Sequence, residues 1–185
     1  PESIIENNGA LYVGITMNSD YSDASTVVKI NPVANTITDS YEVGAGPTSL
    51  LVEDDVIYIA RTFYDENWNA FHGTSSIDIK LDNRIRIADY GAGTVCGGSV
   101  HSYAQKTYRS FQGGIASIKD DLTIDESTLI GDDDANNVYS VETIGDRVYV
   151  GTYDGYVKIL SQDNVEISNF KVGIFPGDFA MWKNN

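Results

Sequence analysis

The sequence predicts an all-β fold on three observations. Short hydrophobic strands alternate with polar turns along all 185 residues, as expected for sheets with buried and exposed faces. No stretch shows the periodicity of an amphipathic helix. A strand centred on a tyrosine recurs about every 40 to 50 residues, the length of one four-stranded blade of a β-propeller. These tyrosines are Tyr12, Tyr58, Tyr108 and Tyr149.

Each repeat divides into four predicted strands, which gives a single β-propeller domain, 1–185, of four four-stranded blades. In the first repeat, Leu11 to Thr16, Thr26 to Asn31 and Thr36 to Val43 precede a glycine-proline link and then Ser49 to Glu53. The third repeat is the least regular. The repeats cover approximately 9–53, 54–104, 105–143 and 144–185.

The phase of the repeats predicts how the two ends of the chain meet. The chain begins on the second strand of a blade and ends on an innermost strand, formed by Phe179, Ala180, Met181 and Trp182. We expect this C-terminal strand to complete the blade begun by Leu11 to Thr16, which closes the ring and removes exposed sheet edges. If it pairs with a neighbouring copy instead, strand donation produces a ring or filament of subunits.

The motifs of the first and fourth repeats resemble a known family. Leu11-Tyr12-Val13, Val43-Gly44-Ala45-Gly46-Pro47 and Val56-Ile57-Tyr58-Ile59-Ala60 are similar to the tyrosine-valine-threonine-asparagine (YVTN) propeller repeat of surface-layer, secreted and periplasmic proteins. Val148-Tyr149-Val150-Gly151-Thr152 repeats the beginning of this pattern. The resemblance implies an exported, non-enzymatic binding or structural role.

The charge of the chain disfavours two classes of partner. Twelve Lys and Arg residues stand against 27 Asp and Glu, for a net charge of −15. Such a surface repels nucleic acid and anionic membrane surfaces, and no apolar run is long enough to span a bilayer. Cys96 is the single cysteine, so no intrachain disulfide forms. We expect an acidic extracellular, cell-surface or periplasmic protein.

The candidate binding residues lie in two long turns between the second and third strands of the first two repeats. The turns run from Met17 to Ser25 and from Phe63 to Thr74. Aromatic rings beside carboxylates and amides suit a glycan or a cationic peptide, although the same rings can instead fold back over their own loop. The predicted ligand-binding residues are Tyr21, Tyr64, Asp65, Trp68, Phe71 and His72.

An acidic link in the third repeat offers a weaker candidate site. Asp132, Asp133 and Asp134 carry the oxygen ligands that calcium prefers, but without the spacing and glycine of a calcium loop. The link therefore predicts either a calcium site or a solvated acidic segment, and no other cofactor is expected.

The sequence gives little support for catalysis. His72 and His101 are the only histidines, they lie in different repeats, and neither accompanies a nucleophile motif. A lactonase or hydrolase would need metal ligands that the pattern lacks. The two favoured interpretations are a binding or adhesion module for a glycan or protein ligand and a structural subunit that assembles with copies of itself.

Overall fold

A computed structural model describes residues 1–92, 98–177, 179–180 and 182, so Cys96 and Met181 lie outside the described residues. The chain forms two compact units. Among described residues, the first unit comprises 1–92, 98–100 and 120–123. The second comprises 101–119, 124–177, 179–180 and 182.

The first unit contains two four-stranded antiparallel sheets, each built from consecutive strands. One sheet consists of β1 (Ser3–Asn7), β2 (Ala10–Met17), β3 (Asp23–Asn31) and β4 (Thr36–Glu42). The other consists of β5 (Pro47–Glu53), β6 (Val56–Tyr64), β7 (Ala70–Asp78) and β8 (Arg84–Ala92). A short 3-10 helix, Ile79–Leu81, lies between β7 and β8.

Two further four-stranded antiparallel sheets follow in the same consecutive order. The third sheet consists of β9 (Val100–Tyr103), β10 (Lys106–Phe111), β11 (Gly114–Ile118) and β12 (Ile124–Ile130). The fourth consists of β13 (Val138–Ile144), β14 (Arg147–Thr152), β15 (Tyr156–Leu160) and β16 (Glu166–Lys171). The described residues thus confirm the predicted all-β class with four four-stranded sheets.

Alternation along the strands builds the core of each unit. In the first unit, Ile57 and Ile59 on β6 are fully buried, and Ile57 lies opposite the buried Ile77 of β7. In the second unit, Val148 and Val150 on β14 occupy the equivalent alternating positions and are also fully buried. A two-residue period of this kind turns every second side chain to one face of the sheet.

Tight hairpins connect the first two strands of the sheets. Asn8 and Gly9, between β1 and β2, have φ of 51° and 77°, and Asp54 and Asp55, between β5 and β6, have φ of 51° and 63°. Two successive residues with positive φ define the turn whose twist matches a β-hairpin, for which Asn-Gly is the strongest sequence signal.

The first sheet corrects the predicted role of the C-terminal strand. Its innermost strand is β1, which pairs with β2 from Ser3 opposite Gly14 to Asn7 opposite Ala10. The side-chain oxygen of Ser3 also accepts a hydrogen bond of 3.0 Å from the N–H of Leu50 on β5. The fourth strand of this blade is therefore local, because the Asn8-Gly9 turn folds Ser3–Asn7 back onto β2. Phe179, Ala180 and Trp182 are not in a strand.

The long turns of the first two sheets are extended hairpins. The strands run to Met17 and resume at Asp23 in the first sheet, and run to Tyr64 and resume at Ala70 in the second. Only five residues therefore remain outside the strands at each tip, 18–22 and 65–69. The longer strand β7 carries the pairing of Tyr64 with Ala70 and of Phe63 with Phe71.

Candidate functional site

The tips of the two extended hairpins fold in the same way. In the first, the N–H of Asn18 donates to the carbonyl of Ser22 at 2.9 Å, and the N–H of Tyr21 donates to the carbonyl of Asn18 at 3.1 Å. In the second, the N–H of Asp65 donates to the carbonyl of Asn69 at 3.1 Å, and the N–H of Trp68 donates to the carbonyl of Asp65 at 3.0 Å. Tyr21 and Trp68 therefore occupy equivalent positions in their turns.

Both aromatic residues have a backbone conformation that aromatic residues rarely adopt. Tyr21 has φ of 67° and Trp68 has φ of 62°, in the left-handed region that favours glycine or asparagine. Placing a residue with a large side chain there costs on the order of 1 kcal/mol. The side chains do not recover this cost by burial, because Tyr21 is 78% and Trp68 70% exposed. Two hairpins thus present aromatic rings to solvent.

Carboxylates hold the shape of the tips. Asp65 Oδ1 accepts hydrogen bonds of 2.8 Å from the N–H groups of Asn67 and Asn69, and its Oδ2 accepts one of 2.8 Å from the amide of Asn69. In the first tip, Asp20 Oδ1 accepts from the N–H of Ser22 at 3.1 Å and from its hydroxyl. The side-chain bonds from Asn69 and Ser22 are the largest cause of the lowered pKa of Asp65 and Asp20, respectively. Both carboxylates therefore stay ionised at neutral pH.

A direct hydrogen bond couples the two hairpins. The N–H of Tyr64, the last residue of β6, donates to Oδ2 of Asp23, the first residue of β3, at 3.0 Å. The Tyr64 ring lies 6.0 Å from the Trp68 ring, with an angle of 52° between their planes. The tips are therefore one structural feature of the first unit.

Between the tips lies a cleft of about 290 Å³, which we call the aromatic cleft. Its lining contains three aromatic rings and three carboxylates, and no lysine or arginine. The lining residues are Tyr21, Ser22, Asp23, Tyr64, Asp65, Glu66 and Trp68.

The structure brings together four of the six residues predicted to bind a ligand, namely Tyr21, Tyr64, Asp65 and Trp68. Phe71 instead lies on β7, where its ring stacks on that of Phe63 with 5.8 Å between centroids.

His72 does not reach the cleft either. It also lies on β7 and is only 4% exposed. Its Nδ1 lies 3.3 Å from the hydroxyl oxygen of Thr62. Because β7 extends back to Ala70, position 72 lies inside the sheet, and ligand binding by Phe71 and His72 stays a prediction.

Asp23 and Glu66 complete the cleft, although neither was among the residues predicted to bind a ligand. The sequence carried a signal for both, because each is a carboxylate in one of the two long turns. Glu66 adjoins Asp65 in one turn, and Asp23 lies near Tyr21 in the other. Their role depends on the pairing of two hairpins that are 41 residues apart at Asp23 and Tyr64.

The acidic link of the third repeat is engaged by protein donors. Asp133 forms an ion pair with Lys158, and Asp134 accepts a hydrogen bond of 2.9 Å from the N–H of Asn136. Over the residues that the structure describes, no three His, Cys, Asp or Glu side chains are grouped so that they could hold a metal ion. Calcium binding by Asp132, Asp133 and Asp134 stays a prediction.

His101, on β9, is buried in the second unit and is 4% exposed. Its Nε2 lies 3.3 Å from Oγ of Ser110. Its Nδ1 lies 3.9 Å from Oε2 of Glu142, too far for a hydrogen bond. Burial, together with the nearby positive charge of Arg109, lowers the pKa of His101 to about 4. Since the half-exposed Glu142 does not offset burial, we take His101 to be neutral at pH 7.

The C-terminal segment of the second unit repeats the contacts of the link after the first sheet. The N–H of Val43 donates to the carbonyl of Ser25 at 2.8 Å, and the N–H of Val172 donates to that of Gly155 at 2.9 Å. The carbonyls of Pro47 and Pro176 each accept a hydrogen bond from a hydroxyl, although from different strands: Thr16 on β2 donates to Pro47 at 2.6 Å, and Ser140 on β13 donates to Pro176.

Phe179 follows this segment and packs on Tyr149 of β14, with 5.7 Å between ring centroids. The corresponding residues of the first unit, Leu50 and Tyr12, share one buried cluster. Leu50 belongs to β5, the innermost strand of the second sheet, and packs beside the first sheet. Phe179 holds the same position beside the fourth sheet.

Comparison with solved structures identifies the fold as a β-propeller. BamB from Moraxella catarrhalis matches with a TM-score of 0.60 and 14% identity over 92% of this chain and 48% of that chain. A nidogen/laminin complex matches with a TM-score of 0.59 and 8% identity over 89% of this chain and 60% of that chain. The computationally designed Ika8 protein matches with a TM-score of 0.50 and 9% identity over 91% of this chain and 61% of that chain.

The chain thus spans between about half and three fifths of the length of these structures. No protein-family model matches the sequence, and no curated protein does. In the part of the chain that the structure describes, no helix has the length and apolar character needed to cross a membrane.

Proposed function

We propose that this propeller is an exported, non-enzymatic binding module that holds a protein ligand in the aromatic cleft. The cleft itself carries the proposal. Tyr21 and Trp68 keep strained backbone conformations while their rings remain in solvent, an arrangement that destabilises the fold and favours contact with a partner. Strain of this kind is found where function maintains it.

Two further observations support the proposal. One of the similar structures is that of nidogen in complex with laminin, so the fold is compatible with protein binding. The net charge of −15 and the resemblance to YVTN repeats favour an extracellular, cell-surface or periplasmic location. A folded tip held by its own hydrogen bonds binds with little loss of conformational freedom, which favours affinity.

The experiment compares two glycine variants on a peptide library and a glycan array. Trp68→Gly removes the ring and retains the turn, because glycine accepts φ of 62°. Asn35→Gly makes the same backbone change at φ of 52° in an exposed turn outside the cleft. We expect Trp68→Gly to weaken peptide binding at least about tenfold, as for an aromatic hot spot, and Asn35→Gly to leave it unchanged.

Equal binding by both variants would remove the cleft from the proposal. Ligands found only on the glycan array, and lost with Trp68→Gly, would replace the protein ligand by a glycan and retain the site.

A second candidate function is a structural subunit that assembles with copies of itself by strand donation. The position of Phe179 on Tyr149 favours it, because that is where an innermost strand lies. Since Ser3–Asn7 already fills that place in the first sheet, donation requires the C-terminal segment to displace Ser3–Asn7 of another copy. Light scattering across a range of concentrations tests this. Oligomers that are lost on deletion of residues 178–185 support assembly, and a monomer at every concentration excludes it.

A further inference from the structure

We infer that the aromatic cleft recognises an arginine side chain of its protein ligand, an inference that rests on the proposed function. The argument starts from the charges. Asp23, Asp65 and Glu66 line the cleft, and the structure places no lysine or arginine within ion-pair distance of any of the three among the described residues. Their negative potential is therefore not compensated within the described part of the chain.

The carboxylates differ in what they offer a ligand. Both oxygens of Asp65 accept hydrogen bonds from the tip itself, so Asp65 contributes mainly its charge. Asp23 uses Oδ2 to hold the N–H of Tyr64. Within the described residues, the structure shows no hydrogen bond to the carboxylate of Glu66. Glu66 and the second oxygen of Asp23 therefore remain available to a donor.

The aromatic rings complete a site for a cation. Tyr64 is 42% exposed and Trp68 is 70% exposed, so both rings present surface to the cleft opening. A cation over the face of an aromatic ring is attracted by the ring quadrupole, most strongly by tryptophan. A guanidinium is planar, so it stacks on a ring while its N–H groups reach carboxylates at its edge.

The size of the cleft also favours a single side chain. Its volume of about 290 Å³ lies at the lower limit of pockets that enclose whole small molecules, roughly 300 to 1,000 Å³. A neutral oligosaccharide would extend beyond the cleft and leave the carboxylates without a counter-charge. Charge complementarity therefore selects the arginine side chain over the sugar.

The test uses two acetylated and amidated pentapeptides that differ only at the central residue, arginine in one and its uncharged isostere citrulline in the other. Binding is measured by saturation-transfer difference NMR, which detects weak ligands. The host protein carries Trp182→Phe, because the 88% exposed Trp182 would otherwise contribute a second indole signal. Trp68 is then the remaining tryptophan, so its indole N–H resonance in a proton–nitrogen correlation spectrum of the protein reports the site directly.

We expect the arginine peptide to bind at least about tenfold more tightly than the citrulline peptide, which corresponds to a difference of about 1.4 kcal/mol in binding free energy. Glu66→Gln should reduce this preference by about threefold, on the order expected for one exposed charge pair. Its matched control is Glu126→Gln, which removes an exposed carboxylate in the second unit and should change nothing.

The outcomes separate this inference from the proposed function. Equal binding of the two peptides, with both lost on Trp68→Gly, overturns arginine recognition and leaves a protein-binding cleft. Binding of maltotriose without binding of the arginine peptide overturns it in favour of a glycan. Absence of binding by the arginine peptide at millimolar concentration also overturns arginine recognition. The proposed function as a protein-binding module is decided separately, by the peptide-library screen.

Discussion

Acidification should destabilise the second unit through His101. The pKa of His101 is about 4 in the folded chain, lowered from 6.5 mainly by burial. As the pH falls below 6.5, His101 becomes protonated in the unfolded state but stays neutral in the folded state. The contribution of neutral His101 to the free energy of unfolding is therefore fully present above about pH 6.5 and is lost toward pH 4. At about 1.4 kcal/mol for each tenfold change in proton affinity, the difference amounts to at most about 3 kcal/mol. By about pH 5 the loss should be about 2 kcal/mol.

Urea unfolding followed by circular dichroism at about pH 7.5, 6 and 5 measures this loss. Carboxylates also titrate in this range, so the comparison is with His101→Gln, which keeps a polar group facing Ser110 and cannot titrate. We expect the wild-type chain to lose about 2 kcal/mol more than the variant between pH 7.5 and 5. Parallel losses in the two proteins would refute the assignment of a neutral, buried His101.

Three further changes test the interior. Gly73→Ala should cost about 3 kcal/mol, because the added Cβ meets both the guanidinium of Arg61 and the backbone carbonyl oxygen of Ala88, the latter at 2.7 Å. Gly91→Ala should cost about 1 kcal/mol for its positive φ, because no atom of the described residues lies within 4 Å of the added Cβ; thermal melts compare the two variants. In an Arg61→Met background the penalty of Gly73→Ala should fall by about 1 kcal/mol, measured by a double-mutant cycle, because the contact with Ala88 remains while that with Arg61 is relieved. An unchanged penalty would contradict the clash with Arg61. Lys158→Met should cost about 2 kcal/mol in urea unfolding by stranding Asp133, and a neutral result would show that Asp133 reaches solvent.

The sequence was sufficient to predict the sheets, because two separate sequence signals mark most of the strands. Alternation marks the buried side of strands such as Val56–Tyr64, and polar pairs such as Asp54-Asp55 mark the turns before them. The assignment of the first blade failed at Ser3–Asn7, a five-residue strand in which no side chain is buried. Its weak hydrophobic signal hid the Asn8-Gly9 hairpin that pairs it with β2.

The candidate site was only partly predictable, because proximity in sequence is a poor guide to geometry at a hairpin tip. Aromatic residues in long polar turns pointed to Tyr21, Tyr64 and Trp68. The same logic also selected His72, since nothing local shows that the strands extend to Tyr64 and Ala70. The bond from Tyr64 to Asp23 depends on two sheets packing side by side, and no local pattern encodes that.

The consecutive order of strands within every described sheet has a consequence for biosynthesis. Each sheet is complete as soon as its own stretch of chain has been made, so none of its strand pairs waits for a distant partner. Loops between paired strands are short, and short loops close quickly and with little loss of entropy. Nascent chains should therefore acquire their sheets one after another as they are synthesised, with few exposed strand edges at any moment to recruit a neighbouring molecule.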